Sequence, residues 1–107
     1  MSLDIWLTET ITIEDATVVS KNITHNLNEM WQQLGIYDAL YNSEGKKAKD
    51  VLPVMREGLR LMIENPVHFK RFSAPNGWGT YEQALPWLVE LVAEFEEHPN
   101  GVIGISK

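Results

Sequence analysis

Leu3-Asp4-Ile5-Trp6-Leu7-Thr8 alternates apolar and polar positions, and Ile11 and Ile13 continue the alternation. A period of two belongs to a strand with one face in a core and the other toward water. Leu3, Ile5 and Leu7 are the expected inward set, which leaves Trp6 on the opposite, exposed face. Glu14-Asp15-Ala16 reads as a turn, and the β-branched run in Thr17-Val18-Val19-Ser20 suits a second strand. The first twenty residues are therefore predicted to form a β-hairpin. At the other end, Pro99-Asn100-Gly101 is a turn signal that precedes a short strand, Val102-Ile103-Gly104-Ile105-Ser106. An isolated hairpin is marginal in water, so the two terminal strand regions should join in one antiparallel sheet of about three strands.

Between them the period becomes helical. Leu27, Met30, Trp31 and Leu34 fall at i, i+3, i+4 and i+7, with Asn26 and Glu29 as an expected capping box and Gly35 as the stop. Ile36, Tyr37, Leu40 and Tyr41 extend this by a turn or two before a loop at Asn42-Ser43-Glu44-Gly45. The longest helix is predicted from Ala48 to Asn65, with Pro53 tolerable only near its first turn. Pro66 opens a short helical turn through Phe72. Thr80 and Gln83 form a second capping box before a last helix, in which Pro86 predicts a kink or a later start. The expected architecture is a single α+β domain over 1–107, with the small sheet packed against three to four helices.

Composition narrows the chemistry. The chain has 107 residues, a formal charge of -6 and no cysteine, so thiolate metal sites, disulfides and thiol nucleophiles are excluded. No apolar run approaches the roughly 20 residues of a membrane span and no secretory signal opens the chain, which leads to the expectation of a cytoplasmic protein without membrane contact. The charge is unevenly spread: residues 46–71 hold seven of the nine basic residues against Asp50, Glu57 and Glu64, a balance of +4. The two flanking segments are acidic. Broad nucleic-acid binding needs clustered cations over a whole surface and is not expected; a compact phosphate-bearing ligand is compatible with the basic centre.

Four groups of residues are candidates for that ligand. Thr24-His25-Asn26 lies where a strand passes into a helix, a junction that points backbone N–H groups outward; helix capping alone is the alternative. Arg56 and Arg60 lie at i and i+4, with Lys49 seven residues before Arg56, so the three share a helix face that is either solvated and paired to Glu57 and Glu64 or anion-binding. Asn76-Gly77-Trp78-Gly79-Thr80-Tyr81 sets a tryptophan between two glycines, so Trp78 either plugs the core edge or, with Tyr81, offers a flat face for stacking. Tyr37 is a further aromatic candidate. His25, His68 and His98 lack the spacing of a metal site, and no nucleophile is paired with a base, so neither a metal, a cofactor nor a catalytic residue is assigned.

The same segments resemble a family of small uncharacterised proteins of bacteriophages and bacteria. The similarity rests on Asn22-Ile23-Thr24-His25-Asn26-Leu27, Gly35-Ile36-Tyr37, Ala48-Lys49-Asp50 through Arg56-Glu57-Gly58-Leu59, and Asn76-Gly77-Trp78-Gly79-Thr80-Tyr81. Tyr41-Asn42 departs from it, standing where the family pattern has a tryptophan followed by a basic residue and proline. The resemblance implies a compact α+β domain of phage origin and brings no activity with it. The expected function is non-enzymatic: a small-ligand binding protein that sequesters a nucleotide immune signal, with its site at a homo-oligomer interface. The alternative is an acidic protein-binding module that inhibits a host defence enzyme, with Trp6 in its contact surface.

Overall fold

The computed structural model describes residues 1–11 and 14–107. Two long strands, β1 (Ser2–Ile11) and β2 (Glu14–Thr24), pair antiparallel, and a short β3 (Val102–Ser106) pairs antiparallel with the other side of β1. The sheet order is β2-β1-β3, so the N-terminal strand is central. The α+β architecture with a three-stranded antiparallel sheet is as expected. Five helical segments follow β2: α1 (Asn28–Gln33), α2 (Tyr37–Tyr41), α3 (Ala48–Glu64), α4 (Pro66–Lys70) and α5 (Tyr81–Glu97). Only α3 and α5 are long, and α2 and α4 stand where single turns of helix were predicted.

The period-two reading of β1 holds from Leu3 to Leu7. Leu3, Ile5 and Leu7 are fully buried, and the register sets Ile105 beside Ile5 and Ile103 beside Leu7 on the same face. Trp6 points the other way but is half-buried rather than exposed, because its indole lies over Gly104, where a Cβ would come within 2.2 Å of the ring. Ile13 lies outside the described residues. Glu14, Asp15 and Ala16 are not a turn: they extend β2, pairing with Ile11, Thr10 and Glu9. The pairing shifts between Leu7↔Val19 and Thr8↔Thr17, which leaves Val18 as an extra residue in β2. This bulge adds local twist to an edge strand. Lys21, opposite Ile5, points to the helical side and pairs with Glu90 at 2.9 Å and Glu94 at 3.5 Å on α5. An inward lysine and a bulge are two devices that discourage edge-to-edge pairing.

α3 and α5 lie against each other and cover the sheet, burying Val51, Met55, Met62, Leu88, Leu91 and Phe95 with the β1 face in one core. Pro53 sits further into α3 than expected, at the sixth position, and Pro86 holds the same position in α5, whose start at Tyr81 is not delayed by it. Pro53 and Pro86 are exposed there, as are Lys49 and Glu82, the residues four positions earlier whose carbonyls a proline leaves without an amide donor. The α5 capping box is present as expected, with Gln83 N–H donating to Thr80 Oγ1 and Thr80 N–H donating to Gln83 Oε1. The free side of β3 is covered: Ile103 N–H donates to Lys46 O, and Gly45 N–H donates to Ile103 O. Among the described residues, no helix is long and apolar enough to cross a membrane.

The approach of α3 to the turn between α1 and α2 depends on Gly58. A Cβ at this position would lie 2.4 Å from Cγ2 of Ile36, a buried β-branched side chain with little freedom to yield. Alanine is otherwise better than glycine in a helix by about 1 kcal/mol, and overpacking typically costs about 1–3 kcal/mol. Gly58→Ala should therefore lower stability by about 1 kcal/mol in urea unfolding. In an Ile36→Ala background the same change should become neutral or stabilising, and equal losses in both backgrounds would contradict the steric account.

Candidate functional site

The turn that follows β2 is the centre of the candidate site. Thr24 ends the strand and its Oγ1 accepts from Asn26 N–H at 3.2 Å, so Thr24 caps the single 3-10 turn His25–Leu27. Capping by Thr24 frees the Asn26 side chain, so the Asn26–Glu29 capping box does not form. Asn26 Nδ2 instead donates to the carbonyl of Trp78 at 2.8 Å, joining two segments that lie 52 residues apart. Gly79 makes that approach possible. Its φ is +104°, and a Cβ there would lie 3.0 Å from Asn26 Cβ and 3.1 Å from Thr24 Cγ2, so both the backbone shape and the space demand glycine.

The loop bearing Trp78 is pinned throughout. Trp78 N–H donates to Asn76 Oδ1 at 3.0 Å, Gly79 N–H to Gln83 Oε1 at 2.8 Å, Gln83 Nε2 to Gly77 O at 3.2 Å, and Ala74 N–H to Gly79 O at 2.9 Å. On this fixed loop the Trp78 side chain is 71% exposed. The alternative in which it plugs the core edge is therefore excluded.

Three surface recesses meet at Asn26. One, of about 610 Å³, runs between Asn26, Glu29, Arg71 and the loop through Asn76. A second, of about 470 Å³, lies between Thr24, Asn22, Asn76 and Trp78. The third, of about 560 Å³, is lined by His25, Asn28, Tyr37, Tyr41 and Lys107 as well as Asn26. In this last recess His25 Nδ1 and the Tyr41 hydroxyl are hydrogen-bonded at 2.8 Å, donor and acceptor following the imidazole tautomer. Tyr37 stacks on Tyr41 with centroids 4.5 Å apart. Lys107 Nζ donates to Tyr41 O at 3.2 Å and to Asn42 Oδ1 at 3.0 Å. The amide oxygen of Asn28 is buried there without a hydrogen-bond partner among the described residues.

The fold thus gathers Thr24, His25, Asn26, Tyr37 and Trp78 at one end of the molecule. The other four candidates lie elsewhere. Tyr81 is buried, its hydroxyl donating to Met62 O at 2.7 Å, and only the Lys70 ammonium lies over its ring, 5.6 Å from the centroid. Its place in the first turn of α5 turns it inward, so it offers no stacking face. Arg60 is held between Glu57 and Glu64, and Arg56 pairs with Glu96 at 3.6 Å. The hydrogen bonds from Arg60 hold the Glu57 carboxyl below its ordinary range, so this guanidinium is already committed to carboxylates. Lys49 is exposed in the first turn of α3. The basic centre is therefore not one anion site; of that segment, Arg71 is the cation that lines a recess at Asn26. Arg71, Lys107, Asn28 and Tyr41 escaped the sequence reading. Arg71 and Lys107 carried no spacing signal, whereas Tyr41 stood in the one segment that departs from the resemblance.

Among the described residues, no group of three or more His, Cys, Asp or Glu side chains is placed to hold a metal ion. Comparison with protein-family models, with curated proteins and with solved structures gives no match.

Burial, with a smaller contribution from Tyr37, pushes the Tyr41 phenol up from 10.0 to about 12. A group whose folded pKa exceeds its unfolded value stabilises the fold fully below the unfolded pKa and loses that contribution as pH rises through the folded one. Stability should accordingly fall between pH 10 and pH 12, by on the order of 1.4 kcal/mol per pH unit from this group. Urea unfolding across that range should give a flatter slope for Tyr41→Phe than for the wild type. A remainder should persist from Tyr81, which burial and then Glu82 also raise. Identical slopes would show that Tyr41 titrates as an ordinary phenol.

Proposed function

We propose that the protein binds a small, planar, phosphate-bearing ligand of the nucleotide class in the recesses that meet at Asn26, without turning it over. The observation that carries this reading is the exposed Trp78 on a loop pinned by hydrogen bonds. An ordered aromatic face costs little additional entropy when a ring stacks on it. Arg71 and Lys107 supply cations at either end of the concavity, and the Asn26, Asn76 and Asn22 amides supply donors and acceptors between them. Recesses of this size fall in the range of small-ligand sites. The phage resemblance of the Thr24–Leu27 and Asn76–Tyr81 segments favours sequestration of a host nucleotide signal as the role, with a second copy closing over the open recesses.

A second reading rests on the same tryptophan. Exposed, rigidly held tryptophans anchor protein interfaces, and a host protein docking at Trp78 fits the acidic module expected as the alternative. Trp6 is less suited to that task because Gly104 lies under its ring.

A thermal melt with a panel of mononucleotides, cyclic nucleotides and ADP-ribose compounds tests the first reading. A ligand at 100 times its dissociation constant stabilises by about 2.7 kcal/mol, and Trp78→Ala should abolish the shift while leaving the unliganded melt nearly unchanged. A flat response across the panel overturns ligand binding. A stoichiometric protein partner lost both in Trp78→Ala and at high salt would then favour the second reading.

A further inference from the structure

Asn26 does not sit at the edge of a single pocket; it stands between two that are similarly equipped. On one side, the two recesses joined through Asn76 present the Trp78 face and the Arg71 guanidinium. On the other, the recess around His25 presents the Tyr37 ring and the Lys107 ammonium. Met1 and Asn26 line both the Trp78 recess and the His25 recess, so the two are neighbours across these residues.

The His25 recess has features that its packing role leaves unused. The Tyr41 hydroxyl fixes the imidazole through Nδ1, and Nε2 makes no hydrogen bond among the described residues. Tyr37 is half-buried: Tyr41 covers one face of its ring, and the side chain still lines the recess. Lys107 uses two of its three N–H donors on Tyr41 O and Asn42 Oδ1. An aromatic ring for a base, and a ring nitrogen and an ammonium for its polar groups, are thus gathered in one recess.

From this pairing we infer that the natural ligand is two-headed: a dinucleotide with one base against Trp78, the other against Tyr37, and its phosphate linkage passing Asn26. The inference rests on the ligand-binding reading above and adds a second subsite to it. Linking two heads makes the second contact intramolecular, and avidity then exceeds either single affinity by about 10²–10⁴.

Isothermal titration calorimetry of the full chain should compare adenosine and guanosine monophosphates with the linear and cyclic dinucleotides of the same bases. The expected result is a dinucleotide that binds at least about 100-fold more tightly than its monophosphate. Tyr37→Leu and the exposed-residue change Lys107→Gln should each pull dinucleotide affinity down toward the monophosphate value. In both variants the loss should be larger for the dinucleotide than for the monophosphate. Lys107→Gln removes a surface cation and keeps the test meaningful if Tyr37→Leu unfolds. Equal affinity for the two ligand classes, or dinucleotide binding indifferent to both variants, overturns the two-headed ligand and leaves the Trp78 site standing. No binding of any nucleotide overturns both.

Discussion

The buried face of β1 is the constraint on which everything else depends. β1 lies between β2 and β3, and Leu3, Ile5 and Leu7 form the floor on which α3 and α5 rest. A slip of one residue in register would turn Asp4, Trp6 and Thr8 inward and expose all three apolar side chains. At about 1.5–3 kcal/mol for each large apolar side chain taken out of water, that slip would cost much of a small domain's stability. The register in turn places Thr24 opposite Ser2, which brings the end of β2 back beside the start of β1. The turn at His25–Leu27 therefore forms at a fixed place, tied to Met1 by the His25 amide.

From that fixed turn the site is assembled by one glycine. α5 could pack on the sheet with its preceding loop in many positions, but Gly79 lets the backbone settle against Thr24 and Asn26, and the Asn26 amide then holds the Trp78 carbonyl. With the backbone so bound, the indole projects into solvent. The same contact divides the surface into recesses on either side of Asn26. A side chain at position 79 would separate the loop from the turn, and the Trp78 face would lose its fixed place relative to Arg71 and His25.

Local chemistry was readable where its cause was local. The period of β1, the extent of α3, the Thr80–Gln83 capping box and the stop at Pro66 depend on neighbours within a few residues, and each stands where the pattern put it. The hairpin turn was misplaced because Glu14-Asp15-Ala16 has turn composition, while its conformation is set by pairing with Glu9, Thr10 and Ile11. Asn26 was read as a helix cap for a similar reason. Its residue type suits a cap, but the neighbouring Thr24 takes that role and a partner 52 residues away takes the amide. Tyr81 and Trp78 illustrate the limit of composition most clearly: both are aromatics in one glycine-flanked segment, yet the first turn of α5 directs one into the core and the loop directs the other into water. The Thr80–Gln83 capping box separates them, since it puts Tyr81 at the start of the apolar stripe of α5 and leaves Trp78 in the loop before it.

The distribution of charge gains its meaning only from the fold. Seven of nine cations fall within residues 46–71, which in sequence suggests one basic patch. Helix geometry separates them: Arg60 meets Glu57 and Glu64 one turn away on either side, and Arg56 meets Glu96 on the neighbouring helix. Exposed pairs of this kind add little to stability, at most about 1 kcal/mol each, but they neutralise the face on which they lie. Arg71, just after α4, and Lys107, just after β3, both reach the surface at Asn26, and neither forms an ion pair with a carboxylate among the described residues. An acidic chain thus keeps two cations available where its aromatic faces are, and a ligand of modest negative charge meets less opposition there than the net charge of -6 suggests.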